Sequence, residues 1–203
     1  MKNIGCLVVV GVLVLLVLWG IGSYNGLVGA QQAVESQWAQ VENVYQRRAD
    51  LVPNLVATVR GAANFERGTL TDVVEARARV GQVNAQATSE ILNDPQKFAQ
   101  FQAAQEGLSS ALSRLMVVVE RYPDLKSNQN FMALQSQLEG TENRIAVARR
   151  DYIETVQRYN TEIRTFPGVI WATFFYRDAK VKENFTAQPG AEQAPKVNFG
   201  KPS

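Results

Sequence analysis

The first hydrophobic feature of the chain is an uninterrupted apolar run near its start. Residues 4–22 read IGCLVVVGVLVLLVLWGIG, nineteen residues without a charged side chain. As a helix this run spans roughly 28 Å, close to the hydrocarbon thickness of a bilayer, about 30 Å. A cleavable signal peptide is the alternative, because Val28, Gly29 and Ala30 would suit a signal peptidase, but its apolar stretch is normally shorter. We predict a membrane-spanning anchor over residues 1–23.

After this run the hydrophobic positions recur three, four or seven residues apart, which is helical spacing. They are Tyr24, Leu27, Val34, Trp38, Val41 and Tyr45. The membrane helix is therefore predicted to continue outward without a break. Pro53, Gly61 and Gly68 interrupt the pattern, so a turn is expected between Pro53 and Gly68, and the pattern leaves its position open.

Three further amphipathic helices follow. The second carries Leu70, Val73, Val80 and Val83, and Asp94 followed by Pro95 is a start signal for the third. The third has a regular apolar seam of steps of three and four, made of Phe98, Phe101, Gln105, Leu108, Leu112, Leu115, Val119 and Tyr122. The fourth repeats this rhythm over Phe131, Leu134, Leu138, Thr141, Ile145, Ala148, Tyr152, Thr155 and Tyr159, and Pro167 and Gly168 close it.

Strand signals are absent from this pattern, so the predicted fold class is all-α. Four amphipathic helices joined by short connections pack best as an up-and-down antiparallel bundle. The expected organisation is thus an N-terminal transmembrane helix that continues into a four-helix bundle over residues 24–166. Residues 186–203, TAQPGAEQAPKVNFGKPS, lack large apolar clusters and hold three of the seven prolines, so a flexible tail is expected there.

Residues 167–185 combine aromatic and basic side chains and follow the fourth helix. An even number of passes returns the chain to the membrane, where aromatic rings favour the headgroup layer. The hypothesis is an interfacial anchor formed by Phe166, Trp171, Phe174, Phe175 and Tyr176, with Arg177, Lys180 and Lys182 meeting anionic lipid. The alternative is that these rings fold back and cap the base of the bundle.

Composition and charge exclude several function classes. The 21 basic and 19 acidic residues are interspersed, so no basic stripe exists that could follow a nucleic-acid backbone. The chain has no histidine and only one cysteine, Cys6. A disulfide within the chain, the usual zinc site and a Cys/His nucleophile pair are therefore excluded. We predict no catalytic residue, no metal and no cofactor.

Two residue groups remain as candidate sites. Small residues recur every four positions where the span meets water, at Gly22, Gly26 and Ala30, a pattern that lets two membrane helices associate, although glycine is frequent in such spans anyway. Charged residues on the bundle helices could form a buried structural network, namely Arg48, Asp50, Glu66, Glu142 and Arg149. A remote alternative is an enzyme using this carboxylate and arginine cluster, but the Glu-x-x-His signature of di-iron bundles is impossible without histidine.

Several segments resemble the LemA family of bacterial membrane proteins. They are RRADLVPNLVATVRG, VERYPDLKSNQNFMALQSQLEGTENRIAVARRDY, RYNTEIRTFPG and the closing APKVNFG, and the resemblance extends from about Tyr24 to Gly200. It implies a single N-terminal membrane pass, an α-helical bundle and no catalytic activity. It also implies links to the cell envelope and to membrane organisation.

Taken together, these features favour a non-enzymatic scaffold of the bacterial plasma (inner) membrane that self-associates. Lys2 precedes the span and the next basic residue after it is Arg47, which favours a cytoplasmic N-terminus and an extracytoplasmic helical body. Expected partners are the lipid bilayer, further copies of the chain and an envelope protein of unknown identity, but no nucleic acid. The alternative is an adaptor that binds another envelope protein through a bundle face or through the tail.

Overall fold

A computed structural model of the protein describes residues 2–61, 66–86, 89–176 and 178–186. Its six α-helices are α1 (Lys2–Arg60), α2 (Arg67–Gln86), α3 (Pro95–Val119), α4 (Pro123–Lys126), α5 (Gln129–Glu162) and α6 (Gly168–Ile170). A 3-10 turn covers Ser89–Asn93, and a π-helical turn, Trp171–Phe175, continues α6. Every regular element in the described part of the chain is helical, which confirms the all-α prediction. The predicted tail, apart from Thr186, lies outside the described residues.

Helix α1 is one continuous element of 59 residues that contains both the apolar run and the first bundle helix. Pro53 lies inside it, although an interior proline removes one backbone hydrogen bond, and the helix ends only at Arg60. The amide of Gly61 then donates to the carbonyl of Ala57 at 3.3 Å. The turn before α2 therefore falls after Arg60, within the predicted window.

Side-chain caps determine where two long helices begin. The Asp94 carboxylate accepts from the amides of Gln96 and Lys97 at 2.9 and 3.1 Å, and Pro95 is the first helical residue, as the sequence predicts. Asn128 caps α5 in the same way, accepting from the amides of Asn130 and Phe131 at 2.9 and 3.2 Å.

The long helices pack side by side, α1 against α5 and α2 against α3, while α1 also contacts α2. On α3 the buried residues run along the predicted seam from Phe98 to Val119. On α5 Val156 is buried instead of Thr155, whose hydroxyl donates to the carbonyl of Asp151 at 2.8 Å, and Leu134 of the predicted seam is only partly buried. The apolar spacing therefore predicted which helix faces are buried.

The buried apolar residues form two clusters along the length of the bundle. The cluster near the apolar run includes Leu27, Trp38, Phe101, Tyr152 and Tyr159. The distal cluster includes Val52, Leu55, Leu70, Leu112, Leu115 and Phe131. On α1, α3 and α5 the boundary between the two clusters falls at Arg48, Gln105 and Glu142. These three polar residues form a layer that separates the clusters.

Candidate functional site

The apolar start of α1 projects beyond the rest of the fold. Its large side chains from Leu7 to Ile21 are between 50% and 71% exposed on all sides of the helix. Among the described residues, α1 is the one helix long and apolar enough to cross a membrane. A helix that is apolar all round and uncovered by protein needs an apolar solvent, which agrees with the predicted anchor.

The chain returns to the end of this run after α5. We define the aromatic shoulder as residues 166–176. Its central residue, Trp171, donates its indole N–H to the Ser23 hydroxyl at 3.1 Å, and its ring lies 5.8 Å from the Tyr24 ring between centroids. A Cβ added to Gly20 would lie 3.3 Å from the Trp171 ring, so the absence of a side chain at Gly20 allows this close packing. Trp171 thus attaches the shoulder to α1.

The turn that leads into the shoulder depends on Gly168. A Cβ at this position would lie 2.1 Å from the carbonyl oxygen of Glu162, far inside any tolerated contact. Gly168 is buried, and it allows α6 to approach the last turn of α5. The sequence predicts Pro167 and Gly168 only as the end of the fourth helix, whereas the close approach of two backbone segments requires the tertiary structure.

The structure divides the five predicted anchor residues into two groups. Trp171 and Tyr176 are half-buried, and each ring contacts Tyr24. Phe166, Phe174 and Phe175 are 70%, 71% and 68% exposed. The shoulder therefore both covers the base of the bundle and presents free aromatic surface, which are the two arrangements that the sequence left as alternatives.

The described residues after the shoulder, 178–186, form a C-terminal strap that runs along the bundle. Asn160 and Lys182 exchange two hydrogen bonds of 2.9 Å between the side-chain amide and the backbone. The Glu183 amide donates to the carbonyl of Leu92, and the Tyr152 hydroxyl donates to the carbonyl of Glu183, each at 2.8 Å. At Lys182 and Glu183, both the backbone N–H and the backbone carbonyl are thus hydrogen-bonded to the helical part of the fold.

Phe185 fills an aromatic pocket under the end of the strap. Its ring lies 5.1 to 6.3 Å from the rings of Phe98, Tyr152 and Trp38 between centroids, and the Arg149 guanidinium lies 4.4 Å from its centroid. Burial raises the pKa of the Tyr152 hydroxyl well above its usual range, and it raises that of Tyr159 to about 12. Phe185 was not predicted as a core residue, because it is an isolated aromatic without helical spacing.

Lys182 corrects one expectation from the sequence. It was predicted to meet anionic lipid, but its side chain is buried and its ammonium donates to Asn93 Oδ1 at 2.9 Å. Burial lowers the pKa of Lys182, and the nearby Glu35 carboxylate partly opposes this shift. The strap's backbone pairing turns this side chain inward. Lys180 is exposed, and Arg177 lies outside the described residues.

The polar layer between the two core clusters is organised by Arg48, whose side chain is 2% exposed. One guanidinium nitrogen donates to the Ser109 hydroxyl at 2.7 Å and to Glu142 Oε1 at 3.0 Å. The other donates to the side-chain and backbone oxygens of Gln105 at 2.7 and 2.9 Å. The Tyr45 ring lies 5.0 Å from the guanidinium. Arg48 therefore joins α1, α3 and α5 at one level.

The other residues predicted for the polar network lie elsewhere. Asp50 accepts from Gln46 on the exposed side of α1. It follows Arg48 by two residues, which places the two side chains about 200° apart around the helix axis. Glu66 pairs with Arg121 at 3.2 Å on the surface, and Arg149 lies over Phe185. Of the five, the structure brings together only Arg48 and Glu142. Gln105, the third member of the layer, appeared in the sequence pattern as a seam residue.

A groove of about 490 Å³ opens between α3 and α5 next to this layer. Leu112, Met116 and Leu138 supply its apolar surface, and its polar residues are Ser109, Ser113, Gln135, Glu139, Glu142 and Asn143. The part of the chain that the structure describes contains no group of three or more histidine, cysteine, aspartate or glutamate residues able to hold a metal ion. The groove therefore combines apolar side chains with polar ones, two of which, Glu139 and Glu142, are acidic.

The predicted small-residue face of α1 is only partly open. A Cβ added to Gly26 would lie 3.4 Å from the Glu162 carboxylate, and Ala30 packs against the core cluster near the apolar run. Gly22 has nothing within 4 Å of a Cβ position, and the same holds for Gly11 and Gly29. Counting 100° per residue places Gly11, Gly22 and Gly29 within about 20° of one another around the helix.

Every regular element in the described part of the chain is helical, and the apolar start of one long helix projects from the others, as in a membrane-anchored helical protein. The sequence matches the LemA family over residues 37–199, and the chain belongs to this family. This confirms the resemblance noted from the sequence.

The chain is also similar to several named relatives at low sequence identity. Magnetosome protein MamQ 1 and magnetosome protein MamQ 2 of Paramagnetospirillum magneticum are each 27% identical over 183 residues, covering 83% of this chain and 66% of the relative. Protein LemA of Metamycoplasma hominis is 22% identical over 146 residues, covering 72% of this chain and 62% of the relative. The chain therefore spans slightly less than two thirds of the length of these relatives.

Proposed function

We propose that this protein is a non-enzymatic, membrane-anchored scaffold that self-associates to organise the membrane or cell envelope. The observation that carries the proposal is the continuity of α1, which runs from the exposed apolar residues into the buried core without a break. At 1.5 Å per residue, its 59 residues span about 88 Å. The four long helices, acting as one antiparallel bundle, would be held at a fixed orientation to the bilayer.

Family membership and the names of the relatives support this role. Relatives named for the magnetosome support a part in building a cellular structure rather than in a metabolic reaction. The proposed site is the plasma (inner) membrane, with the N-terminus in the cytoplasm and the bundle outside. In a Cys6→Ser background, Val117→Cys on the bundle should react with a membrane-impermeant maleimide in cells whose inner membrane is intact. Labelling only after lysis would show that the bundle lies in the cytoplasm, which is the opposite topology.

Self-association is proposed to use the open glycine face of α1, because small residues let two helices approach closely. Gly22→Leu fills this face at a position where no other part of the described chain lies within 4 Å. Gly26→Leu is a poorer probe, since it would also disturb the contact with Glu162. Val9→Leu is the matched control, because residue 9 lies on the opposite side of the helix from residue 22.

The experiment measures the mass of the full-length protein in mild detergent and in native nanodiscs. We expect the parent and Val9→Leu proteins to form the same oligomer and Gly22→Leu to shift toward the monomer. A monomeric parent would refute self-association, and an oligomer unchanged by Gly22→Leu would refute this interface.

The second candidate function is an adaptor that binds another envelope protein, which the groove between α3 and α5 favours. Its apolar surface beside Glu139 and Glu142 suits a polypeptide segment that carries both apolar and basic residues. A photo-crosslinking amino acid at Gln135, in the groove, should capture such a partner in cells, whereas one at Val147, an exposed position on α5 outside the groove, should not. Equal capture at both positions would refute groove binding.

A further inference from the structure

Three exposed phenylalanine rings belong to the aromatic shoulder, which packs against the end of the membrane-spanning run. Phe166, Phe174 and Phe175 are each about two thirds or more exposed, and Val169 and Ile170 are 38% and 40% exposed. With roughly 200 Å² per ring, the three phenylalanines alone present about 400 Å² of apolar surface. Exposed apolar surface of this extent on a monomer is often functional.

The depth of this surface follows from its contacts with α1. The Phe166 ring lies 5.7 Å from the Trp19 ring, and Trp171 contacts Gly20 and Ser23. At 1.5 Å per residue, residues 19–23 cover about 6 Å at the end of the apolar run. The headgroup layer is about 5 to 7 Å thick on each side of the hydrocarbon core. If α1 crosses a bilayer, the shoulder lies where hydrocarbon meets headgroups.

The geometry points to the aromatic shoulder as a second membrane contact, which inserts Phe166, Phe174 and Phe175 into the lipid leaflet on the bundle side. This inference rests on the proposed membrane anchoring by α1. The occupant is a lipid surface because Phe166 packs against Trp19 of the apolar run, whose own large side chains are exposed up to Ile21. In the sequence, the exposed cations Arg164 and Lys180 lie on either side of the shoulder, and cations next to a membrane favour anionic lipid.

Two membrane contacts, α1 and the aromatic shoulder, would fix the orientation of the bundle in a way that one transmembrane helix does not. The shoulder is attached to α1 by Trp171 and to α5 by the close packing at Gly168, so inserted rings would prevent the bundle from rotating about the axis of the span. Rings inserted into one leaflet only also expand that leaflet, and such interfacial insertion is sensitive to membrane curvature. The shoulder would thus set which face of the bundle is directed toward neighbouring copies or partners.

The test places nitroxide labels on the full-length protein in vesicles of phosphatidylethanolamine and phosphatidylglycerol. Single cysteines are introduced in a Cys6→Ser background at Phe174→Cys and, as a second site, Phe175→Cys. Val14→Cys reports on the apolar run, and Val117→Cys is the water-exposed control, since Val117 is 70% exposed in the distal half of α3. Collision of each label with oxygen, which partitions into lipid, is compared with collision with a water-soluble nickel complex.

We expect labels at Phe174 and Phe175 to favour oxygen over nickel several-fold relative to Val117. A water-like ratio at both positions would overturn the inference, and so would protection from both reagents, which would indicate coverage by a second copy. A lipid-like ratio at Val14 with a water-like ratio at Phe174 and Phe175 refutes only the shoulder contact. A water-like ratio at Val14 refutes the membrane anchor itself. Retention of helicity by circular dichroism confirms that each labelled protein is folded.

Discussion

Replacing Arg48 with methionine tests whether the polar layer holds three helices together. The substitution keeps side-chain length but removes the four hydrogen bonds that the guanidinium donates to Ser109, Glu142 and Gln105. Gln105 is 2% exposed, so its side-chain oxygen would lose its charged donor without gaining water. A buried acceptor left unsatisfied costs about 1–3 kcal/mol.

Two effects limit this loss. The Glu142 side chain is 40% exposed and can turn to water, so losing its pairing contributes about 1 kcal/mol or less. Removing the guanidinium also removes the free-energy cost of burying it. The expected net destabilisation for Arg48→Met is therefore about 2 kcal/mol. For a chain of this size, that lowers the unfolding midpoint by about 4–8 °C.

Thermal unfolding of the full-length protein in detergent, followed by circular dichroism, measures this effect. Glu142→Gln is the matched control, and we expect it to cost about 1 kcal/mol or less because it keeps an acceptor. Adding Gln105→Leu to Arg48→Met should restore part of the lost stability, since the side-chain oxygen of Gln105 that lost its donor is then removed as well. An Arg48→Met protein at least as stable as the parent would refute this reasoning, because the burial cost would then exceed the value of the bonds.

Three further predictions concern the shoulder, the strap and the tyrosines. Gly168→Ala should lower the unfolding midpoint and increase proteolysis at the shoulder, because the added Cβ would overlap the Glu162 carbonyl. The control is Gly140→Ala on open helix surface, which should be neutral or slightly stabilising. Phe185→Ala should release the strap, so that amide exchange at Glu183 accelerates while exchange at Ile145 in α5 stays slow; equal protection at Glu183 in both proteins would refute its role. Because the pKa of Tyr159 is raised to about 12, its contribution to stability is fully present below pH 10 and is lost as the pH rises through about 12. Tyr159→Phe should therefore flatten alkaline unfolding at little cost near neutral pH, since its hydroxyl is buried without a partner among the described residues, and an unchanged alkaline profile would contradict this.

Local chemistry was sufficient to predict the four long helices of this protein, but not the short ones, α4 and α6. The apolar run, the Asp94–Pro95 start and the seam from Phe98 to Val119 each depend on residues within a few turns of one another. Their spacing alone identifies the buried face, because a helix repeats every 3.6 residues. Thr155 and Val156 mark the limit of this reasoning, since a one-residue step in the seam depends on what packs opposite it.

The arrangement of the candidate site depended on contacts between residues far apart in the chain. Arg48 and Glu142 were both predicted for the polar network, but only the packing of α1 against α5 brings them together, and Glu66 pairs with Arg121 on the surface instead. Lys182 and Phe185 lie in an extended segment without periodicity. Their burial was therefore not predictable from spacing, and Lys182 was predicted to lie at the membrane surface instead.

The sequence by itself determined that this chain is helical, where its long helices lie and that one end is apolar enough to cross a bilayer. These properties follow from local hydrogen bonding and from the solubility of side chains, which neighbouring residues control. Only the tertiary structure decided that Trp171 attaches to Ser23 while Phe174 and Phe175 remain exposed, and that the strap covers Trp38. Those outcomes depend on side-chain shapes that meet across more than a hundred residues of sequence, and no local pattern records such shape matching.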